Sequence, residues 1–127
     1  MGWPPCPDDQ TRAAALDAHR AVLRRAGGND LSARPWQHPA QPSGDGDLVR
    51  LAAWRAADPA VGADVVAAGL GLLGAARAEL DQVEAALLFS ARAAGLTFQE
   101  IAAALGLGSG QAAQQRMARV LSRADRP

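Results

Sequence analysis

The sequence has no lysine and no tyrosine, one cysteine, and two histidines, His19 and His38. A single thiol, Cys6, excludes an internal disulfide and a cysteine zinc cage. Two histidines far apart in the chain form no tight metal constellation, and no cofactor is expected. Two Phe, three Trp and thinly scattered Val and Ile leave little material for β-strands. Long hydrophobic runs are missing too. The longest uncharged apolar stretch of note, Val65 to Ala76, is twelve residues. As a helix it spans about 18 Å, against roughly 30 Å for a bilayer core. The N-terminus carries Pro4, Pro5 and Pro7 without an apolar segment, which does not read as a signal peptide. The expectation is a soluble, cytoplasmic protein with no membrane partner.

What is present is alanine, about a quarter of 127 residues, and arginine as the sole basic side chain beside the histidines. That bias reads as high-GC coding rather than as chemistry. Alanine favours helix more than any other residue, so the expected fold class is all-α, a helical bundle. The length suits one domain of ordinary size, or a small domain with an arm, and needs no metal or disulfide to fold. The net charge is zero but uneven. Residues 1–91 hold eight Arg and eleven acids, a net −3, and residues 92–127 hold five Arg and two acids, a net +3. A basic end on an acidic body is common in small nucleic-acid modules, although a chance excess of three charges would look the same.

Residues 1–7 read as a leader. Asp8 or Asp9 can cap a helix running to about Ala26, with Leu16, His19, Val22, Leu23 and Ala26 on one side and Gly27-Gly28 as its stop. Residues 29–46, rich in Pro and Gly, read as a linker. They divide residues 1–46, an arm, from residues 47–127, the main helical domain. Asp47 is expected to cap a helix to about Ala57 that packs through Leu48, Leu51, Ala52 and Trp54. Asp58-Pro59 reads as the N-cap and first position of the next helix. Over 76–94, Ala76, Leu80, Val83, Leu87, Leu88 and Ala91 recur at three- and four-residue spacing, one helix face ended by Gly95.

After Gly95 the pattern sharpens. Thr97 and Glu100 fit a capping box opening a short helix over 98–105, with Ile101, Ala102 and Leu105 inward. Gly106 suits the left-handed residue that ends it, Leu107 an apolar plug in the turn, and Ser109 the cap of the next helix. That helix runs from about Gly110 to Ser122 or beyond. At 100° per residue, Ala113, Met117, Val120, Leu121 and Ala124 share one face, while Gln111, Ala112, Gln115, Ala118 and Arg119 share the other. A small residue, a turn glycine and a polar-faced helix make a helix-turn-helix pattern at about 97–122.

The run from Leu80-Asp81-Gln82-Val83-Glu84 through Ser90 to Leu107, followed by Gln111-Ala112-Ala113-Gln114-Gln115-Arg116, resembles small actinobacterial helix-turn-helix DNA-binding regulators. It is similar, more distantly, to region 4 of sigma factors. The resemblance covers about residues 72–122. Its Ile-Ala-x-x-Leu-Gly core is widespread, and the Gln-Ala-Ala-x-Gln-Arg opening of the last helix adds specificity. The resemblance implies sequence-specific binding of double-stranded DNA with the last helix as reader. Gln111, Gln115 and Arg119 would then meet base edges or grooves, Ser109, Arg116 and Arg123 would meet phosphates, and Ala112 or Ala118 a thymine methyl. In one respect the chain departs from the pattern. Many such motifs place a β-branched residue ten positions after the small alanine, which here is Ala112, whereas the apolar stripe puts Ala113 inside. Either the turn is one residue longer or Ala112 is the packed residue, and the groove residues shift by one between the two.

Other features have bland readings that outweigh sharp ones. Gly69-Leu70-Gly71-Leu72-Leu73-Gly74 matches G-x-G-x-x-G, but a dinucleotide site needs a preceding strand, and Val65-Val66 is a poor one. Close helix packing accounts for these glycines better. Asp81 and Glu84, one turn apart, suit a helix flank more than an acid–base pair, and Cys6 has no histidine near it in sequence. His19 suits packing more than ligation. Trp3, Trp36 and Trp54 could form an interaction surface, but Trp54 suits the core better, and Trp36 suits docking of the linker onto the body or a partner. Arg116, Arg119, Arg123 and Arg126, by contrast, recur every three or four residues, and beside a helix-turn-helix they suit phosphate contact better than a merely solvated face.

These observations lead to a DNA-binding transcriptional regulator acting as a homodimer, without catalytic activity. The glycine-spaced segment 60–76 and the N-terminal helix are candidates for the dimer contact. The alternative is a protein-interaction module of the same shape that binds a sigma factor or an RNA polymerase subunit.

Overall fold

The computed structural model describes residues 7–124. The elements are α1 (Pro7–Arg25), a 3-10 turn (Gly28–Asp30), α2 (Asp45–Ala56), α3 (Ala63–Gly71), α4 (Leu73–Ala93), α5 (Phe98–Leu105) and α6 (Gly110–Ala124). Among the described residues every regular element is helical, and the chain is all-α. The leader with Trp3 and Cys6, the Ala124 side chain and Arg126 lie outside the described residues. The chain packs as two units, Met1–Ala76 and Arg77–Pro127, and the division falls inside α4.

In the first unit, α1, α2 and α3 pack on one another. Leu23, Leu48, Ala52, Val65, Ala68 and Leu72 form the core, with Leu16, Val22 and Ala26 packed partly against it. The expected face of α1 is therefore the packed one. The arm expected over 1–46 is instead part of this unit, because that face is buried against α2 and α3. Asp45 at the start of α2 receives a bidentate pair from Arg20 of α1, at 2.8 and 2.9 Å. This pairing, with Asp17 beside it, raises the Arg20 pKa further above its ordinary value. The loop between them satisfies itself locally: Arg34 bonds Asp47, Gln37 donates to the Pro42 carbonyl, and Ser43 donates to the Gly28 carbonyl.

Four local expectations shift. α2 starts three residues early, with Gly44 as N-cap, and Asp47 pairs with Arg34 instead. Asp58 accepts from the Ala60 N–H in a turn, and α3 begins only after Gly62. Trp54 is 72% exposed, because Leu48, Leu51 and Ala52 take the other flank of α2 inside; Trp36 is exposed as well. The glycine-rich stretch is the junction of α3 and α4, with no strand before it. At Gly69 an added Cβ would lie 2.6 Å from the Ala52 Cβ, and at Gly71 it would overlap the His19 ring. Close helix packing is thus what these glycines permit.

In the second unit, Ala85 and Leu88 of α4 join Ile101 and Ala102 of α5 and Ala113 and Val120 of α6 in a separate core. The face read over 76–94 is only partly the packed one. Leu88 and Ala91 pack inward, while Leu80, Val83 and Leu87 are exposed. No helix among the described residues is long and apolar enough to cross a membrane.

Candidate nucleic-acid interface

The candidate interface is set up by helix ends that the local sequence specifies. α4 closes on Gly95 at φ 90°. The Leu96 N–H donates to the Ala91 carbonyl at 3.0 Å and the Gly95 N–H to that of Arg92 at 3.1 Å, the paired bonds of a Schellman stop. Arg92 then reaches forward. Its guanidinium donates to the Leu96 carbonyl at 2.7 Å and stacks 4.3 Å from the Phe98 ring centre. Thr97 caps α5 by accepting from the Glu100 N–H at 3.1 Å, and Glu100 accepts from the Thr97 N–H at 3.1 Å. These bonds to its charged form hold the Glu100 carboxyl below its ordinary pKa, the backbone bond first and the hydroxyl second.

The same device ends α5. Gly106 has φ 72°, the Leu107 N–H donates to the Ala102 carbonyl at 2.8 Å, and the Gly106 N–H to Ala103 at 3.3 Å. The half-buried Leu107 packs on the core that contains Ala102. Ser109 caps α6, its Oγ accepting from the Ala112 N–H at 3.1 Å. Gly110 lets the start of α6 approach α5: a Cβ there would lie 3.2 Å from the Gln99 nitrogen. Gly110 is legible in the sequence as the helix start, but nothing local signals this approach.

These contacts settle the register of α6. Ala113 and Val120 are fully buried, with Met117 and Leu121 packed partly beside them, and Ala112 is half-buried at the edge. Gln111, Gln115, Ala118 and Arg119 are exposed, together with Arg123. Gln114 and Ser122, not singled out from the sequence, share the exposed side. Ala118, Arg119, Ser122 and Arg123 line a shallow, open depression. Arg116 is set apart from the other arginines: it turns toward α4 and donates to Glu84 at 2.7 Å. That bond and the nearby charge of Asp81 raise its pKa, Glu84 being the larger cause. Ser109 has its oxygen engaged as a cap, accepting from the Ala112 N–H, and its hydroxyl proton remains a donor.

No family model, curated protein or solved structure matches this chain.

The chemistry open to this surface therefore follows from its groups. The described α6 presents cationic and amide donors and contains no acid. Glutamine offers a donor and an acceptor on one rigid amide, and arginine offers a charged donor fork. Such a surface suits an anionic, hydrogen-bonding partner. Among the described residues, no three of His, Cys, Asp and Glu come together as a metal group.

Proposed function

We propose that α5, the turn at Gly106–Ser109 and α6 form a helix-turn-helix, and that the chain is a transcriptional regulator binding double-stranded DNA sequence-specifically as a dimer. The observation that supports this best is the exposed side of α6. Gln111, Gln115, Arg119 and Arg123 stand out from a helix that is capped at Ser109 and anchored by Ala113 and Val120. An exposed polar face on a helix held rigidly at its start is what a major groove accepts. In this reading Gln111 and Gln115 read base edges, Ala112 and Ala118 lie near thymine methyls, and Arg119 and Arg123 meet base edges or phosphates. Arg116 positions α6 on α4 through Glu84 rather than holding a phosphate.

Selection from a random duplex pool at two salt concentrations tests it. An enriched palindromic motif, with affinity falling steeply as salt rises, is the expected result. Salt-sensitive binding without an enriched motif removes the sequence-specific part. Absence of binding at low salt overturns the proposal and leaves the protein-interaction module.

A further inference from the structure

Within the second unit, α4 carries a second apolar face. Leu80, Val83 and Leu87 are 63%, 49% and 65% exposed. Their spacing, three residues then four, is that of the a and d positions of a heptad. Ala85 and Leu88, which hold the core with α5 and α6, lie on a different flank of the helix. Single exposed leucines are ordinary, but a continuous stripe marks an interaction surface.

We propose that this stripe is the contact between two copies of the chain, with α4 packed antiparallel on the partner's α4. Charge decides both the occupant and the orientation. With Leu80 and Leu87 at a and Val83 at d, Glu79 occupies g, and Arg77 and Glu84 occupy e. A parallel pair sets g against e, so Glu79 would face the partner's Glu84 on both sides. An antiparallel pair sets e against e. When Leu80 layers on the partner's Val83, Arg77 comes beside the partner's Glu84, offset by about 3 Å along the axis. Glu84 is bonded to Arg116 and its other oxygen is buried, but Asp81 leaves that group of three with one net negative charge, so Arg77 is attracted to the group as a whole rather than bonded to Glu84. Moving one heptad either way sets Glu84 against Glu84 or Arg77 against Arg77. One register alone joins apolar layers to opposite charges. Three side chains bury less than the roughly 800 Å² per partner of a standard interface, so the dimer is concentration-dependent.

The proposal rests on the dimeric part of the proposed function, and its test needs no DNA. Full-length chains carrying Cys6→Ser are given either Leu80→Cys or Val83→Cys, then oxidised gently, alone and mixed. The expected result is a disulfide-linked dimer in the mixture, about tenfold above either variant alone, because the two thiols face each other only across an antiparallel seam. Equal cross-linking within single variants overturns the orientation, and no cross-linking in any sample overturns the interface. Sedimentation of the chain with Arg77→Glu gives a second readout without cysteines. Self-association about tenfold weaker than that of the unmodified chain is expected, and unchanged self-association overturns the pairing. Cross-linking without duplex binding would refute the DNA reading and leave this interface standing.

Discussion

Nη2 of Arg116 lies 2.7 Å from Oε1 of Glu84, joining α6 to α4 across 32 residues of sequence. The second Glu84 oxygen is buried without a hydrogen-bond partner, so removing Arg116 leaves a half-buried carboxylate poorly compensated. Arg116→Met and Glu84→Gln should each lower the melting temperature of the second unit. The double variant should lose no more than the worse single one, because both changes remove one interaction. Thermal unfolding of all four chains checks this, and additive losses would refute it.

DNA binding should separate Arg116 from Arg119. Arg119→Ala should flatten the dependence of log affinity on log salt by about 1 per protomer, as expected for one lost phosphate contact, while leaving the fold intact. Glu84→Gln should do the reverse, since it releases Arg116 and removes a negative charge near the reader helix. Fluorescence anisotropy over a salt series distinguishes them. Equal slopes for the unmodified chain and Arg119→Ala would show that Arg119 makes no phosphate contact.

Two glycines should fail for different reasons. Gly106 has φ 72° and open space around its Cα, so Gly106→Ala should cost about 1 kcal/mol through backbone strain alone. Gly106→Asn should recover part of that loss. Gly69 sits in α3 with Ala52 pressed against it. There, Gly69→Ala should destabilise the first unit by overlap despite alanine's better helix propensity, and Ala52→Gly should partly restore it. Denaturant unfolding of the four variants is the measurement.

The capping box should be visible as a titration. Glu100 has a lowered pKa in the folded chain, so its contribution is fully present above the unfolded glutamate range. That contribution is lost as pH falls through the lowered folded value. Carboxyl-carbon NMR should show Glu100 titrating below the ordinary glutamate range, and Thr97→Ala should return it to that range. Thr97→Ala should also cost about 1 kcal/mol at neutral pH as a lost N-cap. An unchanged Glu100 midpoint in that variant would show that the cap is not the cause.

The sequence by itself determined the features that act within one or two helical turns. The Thr97–Glu100 box, the left-handed Gly106 and the Ser109 cap were legible, because each depends on neighbours no more than four residues away, whereas the choice between Ala112 and Ala113 as the inward residue was left to packing on α4 and α5. The tertiary structure decided which of two apolar faces a helix buries. Periodicity groups Leu80, Val83, Leu87 and Leu88 together, but the partner surface from α5 and α6 meets only the Leu88 flank. It also placed Trp54 outside, drew α1 into one unit with α2 and α3, and set Arg116 against Glu84. These outcomes depend on groups far apart in the chain, and the free energy that selects among them comes from burial and charge pairing that exist only after the helices have packed.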